Sequence, residues 1–232
     1  MGLSVVILTC NSSKTIKTCL DSVLFADEVL IIDDYSTDEL DYIIKNYLRP
    51  LELKITYRPG SYPKIKYIKH KLDDDFGSQR NFALEQCTQD WVLYLDSDEF
   101  VSPELKEEII STISVKSNIQ GYYLKRDDWF FGKLLKHGET SQVKLLRLAK
   151  KNAGSWQGKV HEVWQINGAT KILKHALIHK RIDDINKMLS NISWYSTLQA
   201  QAFYAQKKTE PFLYIFLYPK AKFIQNYFMH VG

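Results

Sequence analysis

The chain has 232 residues, 45% hydrophobic and 25% charged, which suits one large globular domain with or without a small appendage. Its formal net charge of +4 is mild. That balance is compatible with an anionic partner such as a nucleotide or an acidic lipid surface, and it makes no case for nucleic-acid binding. Three well-separated cysteines with no C-x-x-C pair argue against a disulfide framework or a zinc site. No basic leader or long apolar core precedes Leu3–Leu8, so a cytoplasmic location is expected.

Strand-like and helix-like segments alternate through the first hundred or so residues, the pattern of a parallel sheet covered by helices. Ser4–Thr9 is a short β-branched run and predicts a buried strand. Asn11, Ser12 and Ser13 offer capping side chains before Ile16, Leu20, Val23 and Leu24 at helical spacing. Glu28–Ile32 predicts a second strand, ending in Asp33-Asp34, and Asp38–Leu48 a helix stopped near Pro50. A weaker third strand is expected over Leu53–Tyr57, a helix through Phe82–Cys87, and a strongly apolar strand over Trp91–Leu95. Ser102-Pro103-Glu104 then carries a cap, a first-turn proline and an acid for the positive helix end.

After residue 115 the pattern loosens. Gly121–Lys125, Val143–Leu148 and Lys171–His179 read as strands, with an aromatic loop at Trp129–Gly132 and a long helix over Asp184–Gln206. No repeat or low-complexity linker divides the chain. The organisation expected is one domain over 1–205, with a nucleotide-binding half (1–115) and an acceptor-binding half (116–205), followed by an aromatic and basic segment (206–232).

The most informative stretch is Leu93–Glu99. Asp96 and Asp98 stand one residue apart just beyond a buried strand, at the sheet edge where α/β proteins bind ligands. Hard carboxylate oxygens there suit Mg²⁺ or Mn²⁺, which keep waters and bridge to substrate phosphates. A solvated acidic turn has the same sequence, so the pair needs context. That context is the second acidic strand end, Asp33-Asp34, expected beside Thr9-Cys10-Asn11 if the strands are parallel. Asp33 or Asp34 can accept from a base N–H, with Thr9 and Asn11 adding smaller polar contacts, while Asp38 caps the next helix.

Four segments, Val5–Asn11, Ile32–Asp38, Phe76–Ala83 and Trp91–Glu99, in this order and spacing, resemble family 2 glycosyltransferases of the GT-A fold. Gln79-Arg80-Asn81 and Val160-His161-Glu162 make the chain most similar, within that family, to bacterial lipopolysaccharide and lipooligosaccharide core β-glucosyltransferases. Asp34 and Tyr35 depart from that subfamily, which often has a small residue and glycine there. The resemblance implies an α/β, Rossmann-like fold with a mostly parallel central sheet and a C-terminal helical segment. It implies an inverting transfer of a hexose, glucose first, from a UDP-sugar to a saccharide or lipid-linked saccharide. Asp98, with Asp96, would hold the Mn²⁺ or Mg²⁺. Thr9, Asn11, Asp33, Asp34, Arg80, Asp96 and Ser97 would contact the sugar nucleotide, Arg80 near its diphosphate. Glu162 would be the base that activates the acceptor hydroxyl, with Asp127 and Asp128 as rivals; His161 and His179 would orient that base, approach the metal, or serve as structural histidines.

The run Pro211–Phe223 is too short, and too broken by Pro219 and lysines, to span a bilayer. Its aromatics interleaved with lysine suit a membrane interface, on the inner face of the cytoplasmic membrane, as well as a helix packed on the domain or in a dimer. Two other functions fit part of the pattern: a non-catalytic sugar-nucleotide-binding protein, and a haloacid dehalogenase-type phosphatase. The phosphatase motif wants Thr or Val two places past its second Asp, where Phe100 stands here.

Overall fold

The computed structural model describes residues 1–57, 62–138, 141, 143–180, 185–205, 207 and 211–229, with the side chains at 50–57 and 187 outside the description. β1 (Leu3–Thr9) and β2 (Glu28–Asp33) are almost wholly buried, as their unbroken apolar runs require of strands covered on both faces. Between them lies α1 (Ile16–Ser22), and α2 (Leu40–Tyr57) leads to β3 (Lys64–Lys69). α3 (Phe76–Gln86), β4 (Trp91–Asp96), β5 (Glu99–Phe100) and α4 (Pro103–Ser114) complete the first half. The second half contains β6 (Ile119–Phe130), β7 (Lys133–Leu134), β8 (Lys144–Lys150), β9 (Gly154–Gln157), β10 (Val163–Ile166), β11 (Ala169–Lys180), α5 (Ile185–Ala205) and α6 (Phe212–Ile224), ending in a π-helical turn, Gln225–Met229.

A nine-stranded sheet runs in the order β3-β2-β1-β4-β8-β6-β11-β5, with β7 paired to β6, and β9 and β10 form a separate two-stranded ribbon. β1, β2, β3 and β4 are parallel, so their carboxyl ends share one edge. β8 pairs antiparallel with β4, and the strands after residue 115 extend the same sheet in mixed directions. Alternate residues feed two cores: Val5, Ile7, Leu93 and Leu95 face α1, α2 and α4, while Val6, Leu30, Tyr94 and Ala83 pack with Trp156 and Trp164.

Several local expectations change. Leu53–Tyr57 continues α2 past Pro50 instead of forming a strand. Leu48, Leu51 and Ile55 keep helical spacing through it, and a short apolar run fits either structure. The third strand is Lys64–Lys69, whose alternating lysines suit its place at the sheet's edge. α1 begins at Ile16 with Thr15 making no side-chain cap; Ser12 turns to the Cys10 carbonyl instead. The helix expected to include Phe82–Cys87 is α3, which begins at Phe76, where the Asp75 carboxylate accepts from the Ser78 N–H, and ends at Gln86. Trp129 and Phe130 belong to β6, and only Phe131 and Gly132, both at positive φ, form the two-residue hairpin turn to β7. Among the described residues no helix is long and apolar enough to cross a membrane.

Candidate active site

Parallel pairing places Thr9 beside Asp33 and Leu8 beside Asp96, so both acidic strand ends flank the end of β1 on one edge. The Asp34 and Ser97 N–H groups donate to the Thr9 and Leu8 carbonyls, at 3.0 and 3.1 Å, which carries this alignment past the last ladder residues.

On the β2 side, Asp33 is fully buried and occupied: it accepts from Ser36 and, at 2.7 Å, from the Tyr67 hydroxyl. Burial, then the Asp33 carboxylate, pushes the Tyr67 hydroxyl far above its ordinary pKa. Asp34 is half-buried, with Oδ1 accepting from Leu72 N–H at 2.9 Å. Asn11, at positive φ, accepts through Oδ1 from the Thr37 and Asp38 N–H groups at 2.8 and 3.2 Å and so holds the loop after β2. Asp38 accepts from Ser13 and Leu40 N–H groups, the helix-entry role expected of it. The Thr9 hydroxyl is buried and has no hydrogen-bond partner among the described residues.

On the β4 side the two aspartates part company. Asp96 accepts from Arg80 Nη2 at 3.0 Å and from Arg147 Nη2 at 2.8 Å, one arginine on each oxygen. Burial raises the Asp96 pKa, but Arg147 and then Arg80 outweigh it and hold the carboxyl well below the ordinary range. Arg80 also donates from Nε to Glu162 at 2.7 Å and lies 4.7 Å from the Trp156 ring centroid. Asp98 points the other way, to His179 Nε2 at 3.3 Å, while His179 Nδ1 is hydrogen-bonded to the buried Asp128. Burial disfavours the charged imidazole, yet the bonds to Asp128 and Asp98 lift His179 to about 9. Ser97 donates to Ser12 Oγ at 2.7 Å, tying the β4 turn to the loop after β1.

Gln79, Arg80 and Asn81 pin three different elements from one helical turn. Gln79 donates to the His70 carbonyl beyond β3, at 2.9 Å, and Arg80 holds Asp96 and Glu162. Asn81 pairs both ways with the Trp156 backbone, at 2.9 and 2.8 Å. Phe76 N–H donates to the Lys159 carbonyl at 2.9 Å, and a Cβ on Gly77 would meet the Gly158 carbonyl oxygen at 2.4 Å. Only glycine lets α3 approach the turn that carries Val160, His161 and Glu162 this closely.

A cavity of about 780 Å³ opens beside this network, lined among others by Arg80, Asp96, Arg147, Glu162, Trp156 and Tyr195. His161, at positive φ, lies on its wall. Asp127 and Asp128 lie inside β6 and not after it: Asp127 is exposed, and Asp128 is held by Arg126 and His179. Sequence reasoning missed Arg147, and named Gln79 and Asn81 only as parts of a motif, with no role for either. Arg147 stood out as the lone charge in Leu145-Leu146-Arg147-Leu148-Ala149, where a strand buries it and an acidic partner is required.

Among the described residues no three His, Cys, Asp or Glu side chains are grouped to hold a metal. A hard divalent ion that keeps its waters and binds substrate phosphates needs fewer than that. Asp98 and His179 fit it: Asp98 is one-third exposed, faces an imidazole, and that imidazole is oriented from behind by Asp128. Asp96 fits less well, because both its oxygens already accept hydrogen bonds from arginines.

The mixed α/β architecture with its curled sheet is the fold of the GT-A transferases. It aligns with S. aureus TarS residues 1–349 in complex with UDP-GlcNAc at a TM-score of 0.59 and 18% identity, over 79% of this chain and 60% of that one. Glucosyl-3-phosphoglycerate synthase from Mycobacterium tuberculosis, in complex with Mn²⁺, UDP and glucosyl-3-phosphoglycerate, aligns at 0.53 and 11% identity over 90% of this chain and 81% of that one. The chain thus spans less than two thirds of the TarS chain, and likeness at such identity is one of fold. The glycosyl transferase family 2 model matches residues 4–184, and the chain belongs to that family. The lipopolysaccharide core biosynthesis glycosyltransferase LpsC of Rhizobium meliloti is 24% identical over 98% of this chain and 81% of its own length. Membership of a transferase family removes the phosphatase reading.

Proposed function

We propose that this glycosyltransferase moves a hexose, glucose first, from a UDP-sugar to a saccharide acceptor of a lipopolysaccharide or lipooligosaccharide core or another surface glycan, with inversion. The observation that carries the reading is the pairing of an accessible Asp98–His179 site with the Arg80–Asp96–Arg147–Glu162 network at one sheet edge beside a large cavity. The names of LpsC, and of TarS with its UDP-GlcNAc, support the donor and acceptor classes.

Asp34 accepts from the base N–H, since Asp33 is already engaged by Ser36 and Tyr67. Thr9 contributes its unpartnered hydroxyl there, whereas Asn11 acts by holding the loop and Ser97 by fixing the β4 turn. Asp98 and His179 would hold Mn²⁺ or Mg²⁺, the imidazole being oriented from behind by Asp128. When bound, the ion neutralises charge on the departing diphosphate. Arg80 and Arg147 fix Asp96 toward the donor. Glu162 takes the proton from the acceptor hydroxyl as that oxygen attacks the anomeric carbon and UDP leaves. Asp128, engaged by His179 and Arg126, orients the imidazole and is not that base.

The test is a screen of UDP-, GDP- and CMP-sugars, with and without Mn²⁺, by thermal shift and donor hydrolysis. A UDP-sugar with Mn²⁺ should stabilise the chain and be hydrolysed, and Asp98→Ala should remove the hydrolysis. Donor binding without turnover, insensitive to Asp98→Ala, would make the chain a non-catalytic sugar-nucleotide binder.

The α6 segment is read as resting on the inner face of the cytoplasmic membrane. Phe212, Leu213, Ile215, Phe216 and Leu217 are all more than half exposed, no acid falls in 211–229, and Lys220 and Lys222 follow. Sedimentation with phosphatidylglycerol vesicles, lost in Phe216→Glu, supports this; a dimer in solution that Phe216→Glu dissociates replaces it.

A further inference from the structure

The cavity carries a charge pattern that the donor does not explain. Arg80, Arg126, Lys144 and Arg147 line it against two carboxylates, Asp96 and Glu162. Arg80 and Arg147 occupy both of those acids. Four cationic side chains thus line the cavity against two carboxylates that are already engaged.

The rim formed by β6 and β8 is more basic still. Lys125 stands directly across from Lys144 in the antiparallel ladder, both exposed. Like charges facing each other across strands destabilise a sheet, and among the described residues neither lysine has an ion pair to relieve it. Arg126, on the same rim, shares Asp128 with His179 and approaches the buried Glu99 only at 3.9 Å. Across the cavity, Phe76, Tyr195 and Ile192 supply an apolar wall for the face of a sugar ring.

Resting on the transferase reading, we infer that the acceptor is an acidic saccharide whose carboxylate or phosphate is seated at Lys144 and Arg126, on the β6–β8 rim of the cavity. An anion there relieves the Lys125–Lys144 repulsion and gains the charge-assisted hydrogen bonds that exposed Lys144 can donate.

The experiment titrates the full chain, loaded with UDP and Mn²⁺, with glucuronate, mannose 6-phosphate, glucose and mannose. Fluorescence from Trp156 and Trp164, which line the cavity, reports binding. Transfer from the preferred UDP-sugar is measured in parallel. The acidic sugars should bind at least about tenfold more tightly than their neutral partners, the glucuronate and phosphate arms telling which oxyanion is preferred. Lys144→Glu should erase that ratio, and Lys144→Arg should keep it; Lys144 is exposed, so folding is not at issue. Equal binding of acidic and neutral sugars, or a ratio untouched by Lys144→Glu, overturns the inference. Acid-selective binding in a chain that neither binds UDP nor turns over any sugar nucleotide sinks the transferase reading and leaves the anion site standing.

Discussion

The two acidic strand ends of the sheet are built on different scales. At the end of β2, the carboxylates are engaged from within the parallel half of the sheet: by Ser36 in the next loop, Tyr67 on β3 and Leu72 just beyond β3. At the end of β4, the partners of Asp96 and Asp98 include Arg147 and His179, which come from β8 and β11 in the mixed half of the sheet. The first edge is therefore a local cradle, complete once β1, β2 and β3 pair. The second is assembled only when the whole domain closes, and its charges report on that closure.

This contrast can be broken in order of expected effect. Glu162→Gln should lower turnover by about a hundredfold or more, the scale of a lost general base, while leaving UDP binding intact; full turnover in pre-steady-state transfer assays removes Glu162 from the chemistry. Arg147→Ala leaves Asp96 and the buried Glu99 without their shared guanidinium and should cost about 3 kcal/mol in urea unfolding, the low end for a broken buried pair because Asp96 keeps some exposure. Gly77→Ala forces a Cβ against the Gly158 carbonyl and should cost about 1–2 kcal/mol, with a loss of transfer larger than the loss of donor binding. If both fall equally, α3 does not set the Glu162 turn.

The smallest effect belongs to the local half. Burial raises the Glu28 pKa, but hydrogen bonds from Lys66, Ser4 and Thr88 outweigh it and hold the value below the ordinary 4.5. A lowered folded pKa gives stability that is full above pH 4.5 and fades as pH falls through the folded value. Glu28→Gln should flatten the acid limb of the stability curve there, by about 1 kcal/mol at most for this kind of network. An unchanged acid limb would show that the group does not drive it.

How much of this was legible follows the same division. β1, β2 and β4 were plain because strands buried on both faces must read as continuous apolar runs, and the acids just beyond them then fall on one edge. β3 was not, since its Lys-rich alternation looks like surface and Leu53–Tyr57 offered a more apolar decoy. Asp98 and Glu162 were named from motifs; Glu162 pairs with Arg80, while Asp98 faces His179 on the other side of the β4 turn. The division of labour within each pair was hidden: nothing in Asp33-Asp34 or Asp96-Ser97-Asp98 tells which carboxylate is already engaged. That depends on Tyr67, Arg147 and His179, whose approach is set by sheet order and not by spacing along the chain. The sequence favoured a structural role for His179; β11 sets it between Asp128 and Asp98.

The single turn of α3 that holds His70, Asp96, Glu162 and Trp156 behaves as a mechanical junction between the parallel half of the sheet and the β9–β10 ribbon with its Glu162 turn. Any change there moves several contacts at once, so it offers little room for gradual drift toward a new acceptor. The rim of β6 and β8, where Lys144 is exposed and engages none of them, is free to vary one side chain at a time. Among relatives of this chain, acceptor preference should therefore diversify on that rim, with the α3 turn held constant beneath it.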